Sequence, residues 1–192
     1  MPSHFLAYMA RMKFIKRWGL RRSTHEENDQ EHSLEVTMIA HALCAIRRAR
    51  YHTPVDETLV IKLAIYHEAA EVITGDLASP IKYFNPEIKK AFGRIEQIAS
   101  KKLLGYLPED LQSEYEPLLL PDKKQEAWRI VKAADKLSAY LKCLEELSCG
   151  NAEFERAKMS LERELKALSL PEVEDFMRDF APSFSLSLDA LN

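Results

Sequence analysis

The chain has 192 residues, of which 46% are hydrophobic and 30% are charged, enough to bury the core of one globular domain. This composition excludes an intrinsically disordered chain, and a formal charge of −3 argues against a nucleic-acid polymer as partner. No signal peptide or apolar run long enough for a membrane span is evident, and the three cysteines show no ligand-like spacing. We therefore expect a cytoplasmic protein without a membrane partner.

Only five glycines stand against abundant alanine, leucine, glutamate and lysine, which favours helices throughout the chain. The first predicted helix runs from His4 to Arg17 and ends near Trp18, where Gly19 suits a C-terminal cap. The polar segment that follows is a loop by composition. A second helix is predicted from Glu31 to about Ala49.

Asp56 is a plausible N-cap for a central helix that continues to Asp76. Asn85 offers another N-cap, with proline at the first helical position. A pattern of apolar spacing with glycine and proline breaks predicts further helices over 85–104, 109–118, 121–150, 153–168 and from 171 onward. The segment SFSLSL alternates at period two and is expected to form a brief extended piece at most. No linker divides the chain, so we predict a single all-α domain over residues 1–192.

Ionisable side chains lie on the apolar faces of three of these helices. His67 and Glu71 are four residues apart in the central helix, with Glu68 one step round it. His32 is in register with the apolar stripe of the second helix, and Asp135 stands within the buried face of the long helix. Each group alone could be a satisfied core residue, but together two imidazoles and two carboxylates favour a divalent transition-metal site with open positions.

Several segments spread along nearly the whole chain form a more specific pattern. They are His4-Phe5, Arg17-Trp18, Glu31-His32-Ser33, YHEAxEVxTGDL (66–77), PxKYFN (80–85), AYLKCLEEL (139–147) and Pro182-Ser183-Phe184. With these segments the chain resembles the HD-domain phosphohydrolases and, within them, the bacterial 5′-deoxynucleotidases. The resemblance implies a helical bundle with the metal site between its helices. It also implies hydrolysis of deoxyribonucleoside 5′-monophosphates, one divalent ion per subunit (typically cobalt or manganese), and a homodimer.

Carried over position by position, the resemblance also implies roles for individual residues. The metal residues would be His32, His67, Glu68 and Asp135, and the catalytic residues Glu71 and Glu68. The substrate-binding residues would be Arg17, Trp18, His32, Glu68, Asp76, Leu77, Ala78, Ser79 and Asp135, with Trp18 excluding a 2′-hydroxyl. The core would span about 28–145, with a substrate-contacting N-terminal helix over 4–18 and a helical extension over 151–192.

One position departs from the family pattern, because the chain has His67-Glu68 where the family has His-Asp. Glutamate keeps the charge but holds its carboxylate one methylene further from the backbone, while metal–oxygen distances are confined to about 2.0–2.2 Å. We expect the metal to be retained, with Glu68 among its ligands. Two alternatives stay open: an inactive nucleotide-binding or interaction module, and an HD phosphohydrolase acting on another nucleotide, such as a triphosphate or a cyclic nucleotide.

Overall fold

The part of the chain that the structure, a computed structural model, describes (residues 2–82 and 84–191) is helical and contains no strand. Its α-helices are α1 (Phe5–Met9), α2 (Asp29–Tyr51), α3 (Glu57–Tyr66), α4 (Glu71–Thr74), α5 (Ser79–Lys82), α6 (Pro86–Leu104), α7 (Glu109–Leu119), α8 (Glu126–Ser148), α9 (Glu155–Ala167) and α10 (Pro171–Asp179). Short 3₁₀ helices cover Ala10–Phe14, Ala152–Phe154, Ala181–Ser185 and Leu188–Leu191. The predicted all-α fold is confirmed. Tyr83 of the PxKYFN segment and the side chain of Ser79 lie outside the described part.

Side-chain caps set the start of three helices. The Asn28 side chain accepts hydrogen bonds from the backbone at the start of α2, and the Glu31 carboxylate accepts one from the backbone N–H of Asn28. This capping box starts α2 two residues before the predicted Glu31, at Asp29. Asp56 caps α3 and Asn85 caps α6, as the sequence predicts.

The core lies between α2, α3 and α8. Leu43, Leu63 and Leu137 are fully buried there, and each contributes about 1.5–3 kcal/mol relative to an exposed side chain. Leu165 of α9 and Phe176 of α10 belong to the same core. The helices after residue 151 therefore pack directly on the helices that carry the candidate site. Among the described residues, none of the helices is long and apolar enough to cross a membrane.

The predicted helix over 4–18 is wrong in its second half. The α-helix stops at Met9, a 3₁₀ helix follows to Phe14, and Ile15 is extended. The backbone N–H of Arg17 donates to the Glu27 carbonyl at 3.0 Å, so the chain pairs with the following loop instead of continuing the helix. Trp18, not the following glycine, adopts the positive φ of 59°.

The ends of two other predicted elements also shift. The long helix begins at Glu126 rather than near Pro121, and Gly150 follows its C-cap with a φ of +82°, as a terminating glycine should. The first half of SFSLSL (183–188) belongs to the 3₁₀ helix Ala181–Ser185 instead of an extended segment, because Pro182 fits the first turn of a helix; the backbone is extended at Leu186, which follows this helix.

Candidate metal centre

Four side chains from three parts of the fold converge on one point. His32 comes from α2, His67 and Glu68 from the turn after α3, and Asp135 from α8. One ligand atom from each lies within 4.8 Å of all the others. Asp135 Oδ1 is 3.2 Å from Nε2 of His32 and 4.0 Å from Nε2 of His67. This spacing suits ligands that surround a single ion.

The predicted continuous helix through Asp76 is interrupted at this point. α3 ends at Tyr66, and the backbone N–H of Ala69 donates to the Tyr66 carbonyl at 3.0 Å, which is the tighter i→i+3 pattern. The helix resumes only at Glu71. Because the turn changes the direction of the side chains, His67 and Glu68 can both reach the same point, with His67 Nε2 3.5 Å from Glu68 Oε1.

The hydrogen bonds of the two imidazoles decide which nitrogen faces the centre with a lone pair. His67 Nδ1 lies 2.7 Å from the carbonyl of Ala64, which can only accept, so Nδ1 carries the proton. Ser138 Oγ donates to Glu35 and lies 3.0 Å from His32 Nδ1, so it meets that nitrogen as an acceptor. Nδ1 is thus the donor in both rings.

The two Nε2 atoms are buried and have no hydrogen-bond partner within the described part of the chain. Two nitrogen lone pairs then face two carboxylates, an arrangement that is unfavourable until a cation neutralises it. The residues present therefore fit a divalent metal ion.

The electrostatics of His67, Glu68 and Asp135 agree with this assignment. Burial would lower the pKa of His32, but the carboxylates of Asp135 and Glu27 raise it above its ordinary value in the metal-free protein. Burial lowers the pKa of His67 to about 4, which keeps its imidazole neutral. Burial alone would raise the pKa of Glu68, but its electrostatic interactions with the His67 ring and the Lys132 ammonium bring it down to about 2. Lys132 and the two imidazoles hold the pKa of Asp135 well below its usual range against the same effect of burial. Neutral imidazole and ionised carboxylates are the forms that bind metals.

Glu71 lies beside this cluster as a nearly buried carboxyl group, 5% exposed. Burial, followed by the charges of Glu68 and Asp29, raises its pKa to about 11. Asp29, which the sequence did not single out, is also buried, and burial raises its pKa to about 7. A cation held nearby would favour the ionised forms of both groups.

The predicted substrate loop follows α4. Asp76 is half-buried directly after Gly75, whose φ of +71° turns the chain, and Arg17 and Glu68 lie close enough to influence the Asp76 charge. Leu77 and Ala78 are half-buried next to it.

Arg17 and Trp18 stand on a loop opposite, and both contact Glu27. The Arg17 guanidinium forms an ion pair with this carboxylate, with Nε 3.4 Å from Oε1, and the Trp18 indole donates to Oε2 at 2.7 Å. Sequence reasoning missed Glu27, because it lies in a loop where no periodicity marks a buried residue. Glu35 and Ser138 were detectable in principle, since each lies three residues after a predicted ligand on the same helix.

Known proteins match this chain along nearly its whole length. A sequence profile of the family described as 5′-deoxynucleotidase YfbR-like matches residues 4–184. A 5′-deoxynucleotidase of Vibrio parahaemolyticus is 49% identical over 191 residues, which are 99% of this chain and 98% of that protein. A 5′-deoxynucleotidase of Photorhabdus temperata is 50% identical, over 99% of this chain and 97% of its own length.

Solved structures share the fold. An HD-domain phosphohydrolase from Listeria innocua superposes with a TM-score of 0.84 at 22% identity, covering 94% of this chain and 88% of its own. The cyanophage S-2L HD phosphohydrolase, whose structure holds dA and one catalytic Zn²⁺ ion, has a TM-score of 0.64 at 24% identity, covering 93% and 95%.

Proposed function

The chain belongs to the YfbR-like 5′-deoxynucleotidase family, and we propose that it releases phosphate from deoxyribonucleoside 5′-monophosphates at the centre described above. It is a hydrolase of phosphoric monoesters. The observation that carries the proposal is the convergence of four ligand atoms within 4.8 Å, with the buried carboxyl of Glu71 beside them.

In this proposal His32, His67, Glu68 and Asp135 hold one divalent ion per subunit. A bound ion of this kind supplies a Lewis acid for the phosphoryl oxygen and lowers the pKa of a coordinated water. The protein's Nδ1–H donors fix both imidazoles so that each Nε2 stays available. Cobalt or manganese is the ion expected from the family resemblance, while the S-2L phosphohydrolase carries zinc.

Glu71 is proposed to orient the attacking water and accept its proton. Its position one turn beyond His67 favours this role, since it borders the cluster without belonging to it. Glu68 is proposed to assist as a ligand that also faces the water. Asp135 would orient the same water from the opposite helix.

The nucleotide is proposed to lie between two loops. Arg17 would bind the phosphate through its guanidinium, and Trp18 would present its ring where a ribose 2′-hydroxyl would need space. Asp76, Leu77, Ala78 and Ser79 would line the other side of the substrate. The ordered, left-handed backbone at Trp18 supports this assignment, because such strain is common at functional sites.

We also propose that the protein is a cytoplasmic homodimer. The free thiols Cys44, Cys143 and Cys149 suit a reducing compartment. Leu34 and Met38, one turn apart on α2, are 62% and 57% exposed, and an apolar pair of this kind is better covered by a partner. Sedimentation velocity tests this dimer. The wild type should sediment as a dimer and Met38→Lys as a monomer, and a monomeric wild type contradicts the proposal.

The decisive experiment measures phosphate release from a deoxyribonucleoside 5′-monophosphate and its ribonucleotide counterpart, with manganese, cobalt or chelator. We expect metal-dependent release from the deoxy form only. Trp18→Ala should then admit the ribonucleotide. A folded protein that releases no phosphate with any metal contradicts the proposed function.

A further inference from the structure

Glu27 contacts two residues that have different proposed roles, the metal ligand His32 and the sugar-selecting Trp18. Its Oε1 atom lies 3.2 Å from Nδ1 of His32, and its Oε2 accepts the indole N–H of Trp18 at 2.7 Å. Its side chain is only 12% exposed. One carboxylate therefore connects His32, a proposed metal ligand, to the indole of Trp18, which is proposed to select the sugar.

The contacts on Trp18 leave its ring little freedom. Glu27 holds the indole edge, and the Phe154 ring packs on the indole at a centroid distance of 5.2 Å. Glu27 also binds the neighbouring Arg17 through side chain and backbone. The backbone at Trp18 has a positive φ, which a bulky residue adopts only when its surroundings enforce it.

The other oxygen of the same carboxylate, Oε1, contacts His32. A carboxylate at Nδ1 keeps the proton on that nitrogen and leaves Nε2 for the metal. Ser138 also lies at this Nδ1, but its hydroxyl proton is already given to Glu35. Glu27 is the acceptor at Nδ1 that also reaches the Arg17–Trp18 loop.

We propose that Glu27 is a positioning residue that couples the metal centre to deoxyribose selection, by holding Trp18 and His32 in a fixed relation. Only the part of this inference that concerns sugar selectivity rests on the proposed function. Loss of the Glu27 carboxylate should then weaken metal binding and relax sugar selectivity together, although Glu27 is not one of the four proposed metal ligands.

The test compares Glu27→Gln with Glu26→Gln, a matched control on the adjacent, 73% exposed side chain. The readouts are the Mn²⁺ dissociation constant by titration calorimetry and the ratio of kcat/KM for the deoxy over the ribo substrate. We expect E27Q to weaken Mn²⁺ binding by about 10–100-fold, the range for partners of metal-bound histidines. The selectivity ratio should fall by a similar factor, and E26Q should leave both within about twofold.

The proposal is overturned if folded E27Q keeps both the Mn²⁺ dissociation constant and the selectivity ratio of the wild type. It is also overturned if only one of these two quantities changes. If E27Q does not fold, Glu27→Asp carries the test, because it keeps the charge but is too short to reach both Trp18 and His32. Glu27→Asp must raise the Mn²⁺ dissociation constant and lower the selectivity ratio, and unchanged values overturn the coupling.

A failure of the proposed function would be visible separately, as absence of phosphate release in wild type. The coupling is then read from Mn²⁺ affinity and from Trp18 fluorescence in a Trp128→Phe background, where Trp18 is the remaining tryptophan. E27Q should weaken Mn²⁺ binding and shift the Trp18 emission. An unshifted spectrum or an unchanged affinity overturns the proposal.

Discussion

The Nε2 atom of His67 lies 3.5 Å from Oε1 of Glu68, its neighbour in the chain. Adjacent residues of a regular helix point about 100° apart and do not face each other. The break between α3 and α4 removes this obstacle, because His67 and Glu68 lie in the connecting turn. The longer arm of glutamate therefore reaches the cluster from this turn.

Replacing Glu68 separates the effect of charge from the effect of arm length. Glu68→Asp should keep Mn²⁺ affinity and phosphate release within about tenfold, since the family pattern carries aspartate there and the turn can adjust. Glu68→Ala should weaken Mn²⁺ binding by at least about 100-fold, the upper end of the range for supporting residues. Titration calorimetry of both variants measures this. Equal Mn²⁺ affinity of Glu68→Ala and wild type would exclude Glu68 as a ligand.

Metal binding should stabilise the fold, because the ligands come from α2, α8 and the turn after α3. An ion at 100 times its dissociation constant adds about 2.7 kcal/mol to the free energy of unfolding. For a domain of this size, that corresponds to a rise in Tm of roughly 5–10 °C. Differential scanning fluorimetry with chelator and with added Mn²⁺ checks the shift. His67→Ala is the control, and its Tm should not respond to Mn²⁺.

The sequence was sufficient for those features that depend on helical spacing or on caps. Asp56 and Asn85 cap their helices as predicted, and the register of His32 with Val36 brought it to the same centre as Asp135. Periodicity works there because each residue's direction follows from its neighbours in the same helix.

The features that escaped prediction depend on contacts between distant segments. Lys16 pairs with Asn28 in an antiparallel bridge, which ends the first helix early although its apolar spacing continues. Trp18 adopts a left-handed backbone that its residue type disfavours. Glu27 looks like any loop carboxylate until the bridge places it beside Trp18 and His32. Tertiary contacts override local preference at these positions.

Glu71→Gln should separate catalysis from metal binding. Burial raises the pKa of Glu71 above neutrality in the metal-free protein, so an uncharged amide of the same shape should leave the fold intact. We expect kcat to fall by about 10²–10⁴-fold, the usual contribution of a general base. Mn²⁺ affinity should change by less than about tenfold. Steady-state kinetics and calorimetry on the same preparation check both, and undiminished kcat would remove Glu71 from the proposed mechanism.

A buried carboxylate far along α8 is predicted to hold the loop that leads to Glu27. Glu146 accepts hydrogen bonds from the Thr24 backbone at 2.8 Å and from Asn151 at 2.8 Å, and Lys142 donates to it at 2.6 Å. Removing one partner of such a buried ion pair costs about 3–5 kcal/mol. Glu146→Gln should therefore lower the free energy of unfolding by that amount at pH 7. Denaturant titration measures it, and Glu145→Gln, on the exposed neighbour, should change it by less than about 0.5 kcal/mol.

The same substitution should change how stability depends on pH. Burial opposes ionisation of Glu146, but the hydrogen bonds from Lys142, Thr24 and Asn151 bring its pKa down to about 2, from an ordinary value of 4.5. A carboxylate with a lowered pKa stabilises the fold above its unfolded pKa, and that stability is lost as the pH falls through the folded value. The stability difference between wild type and Glu146→Gln should therefore be constant above about pH 4.5 and narrow progressively towards pH 2. A difference that stays constant down to pH 2 would show that ionisation of Glu146 does not hold this loop.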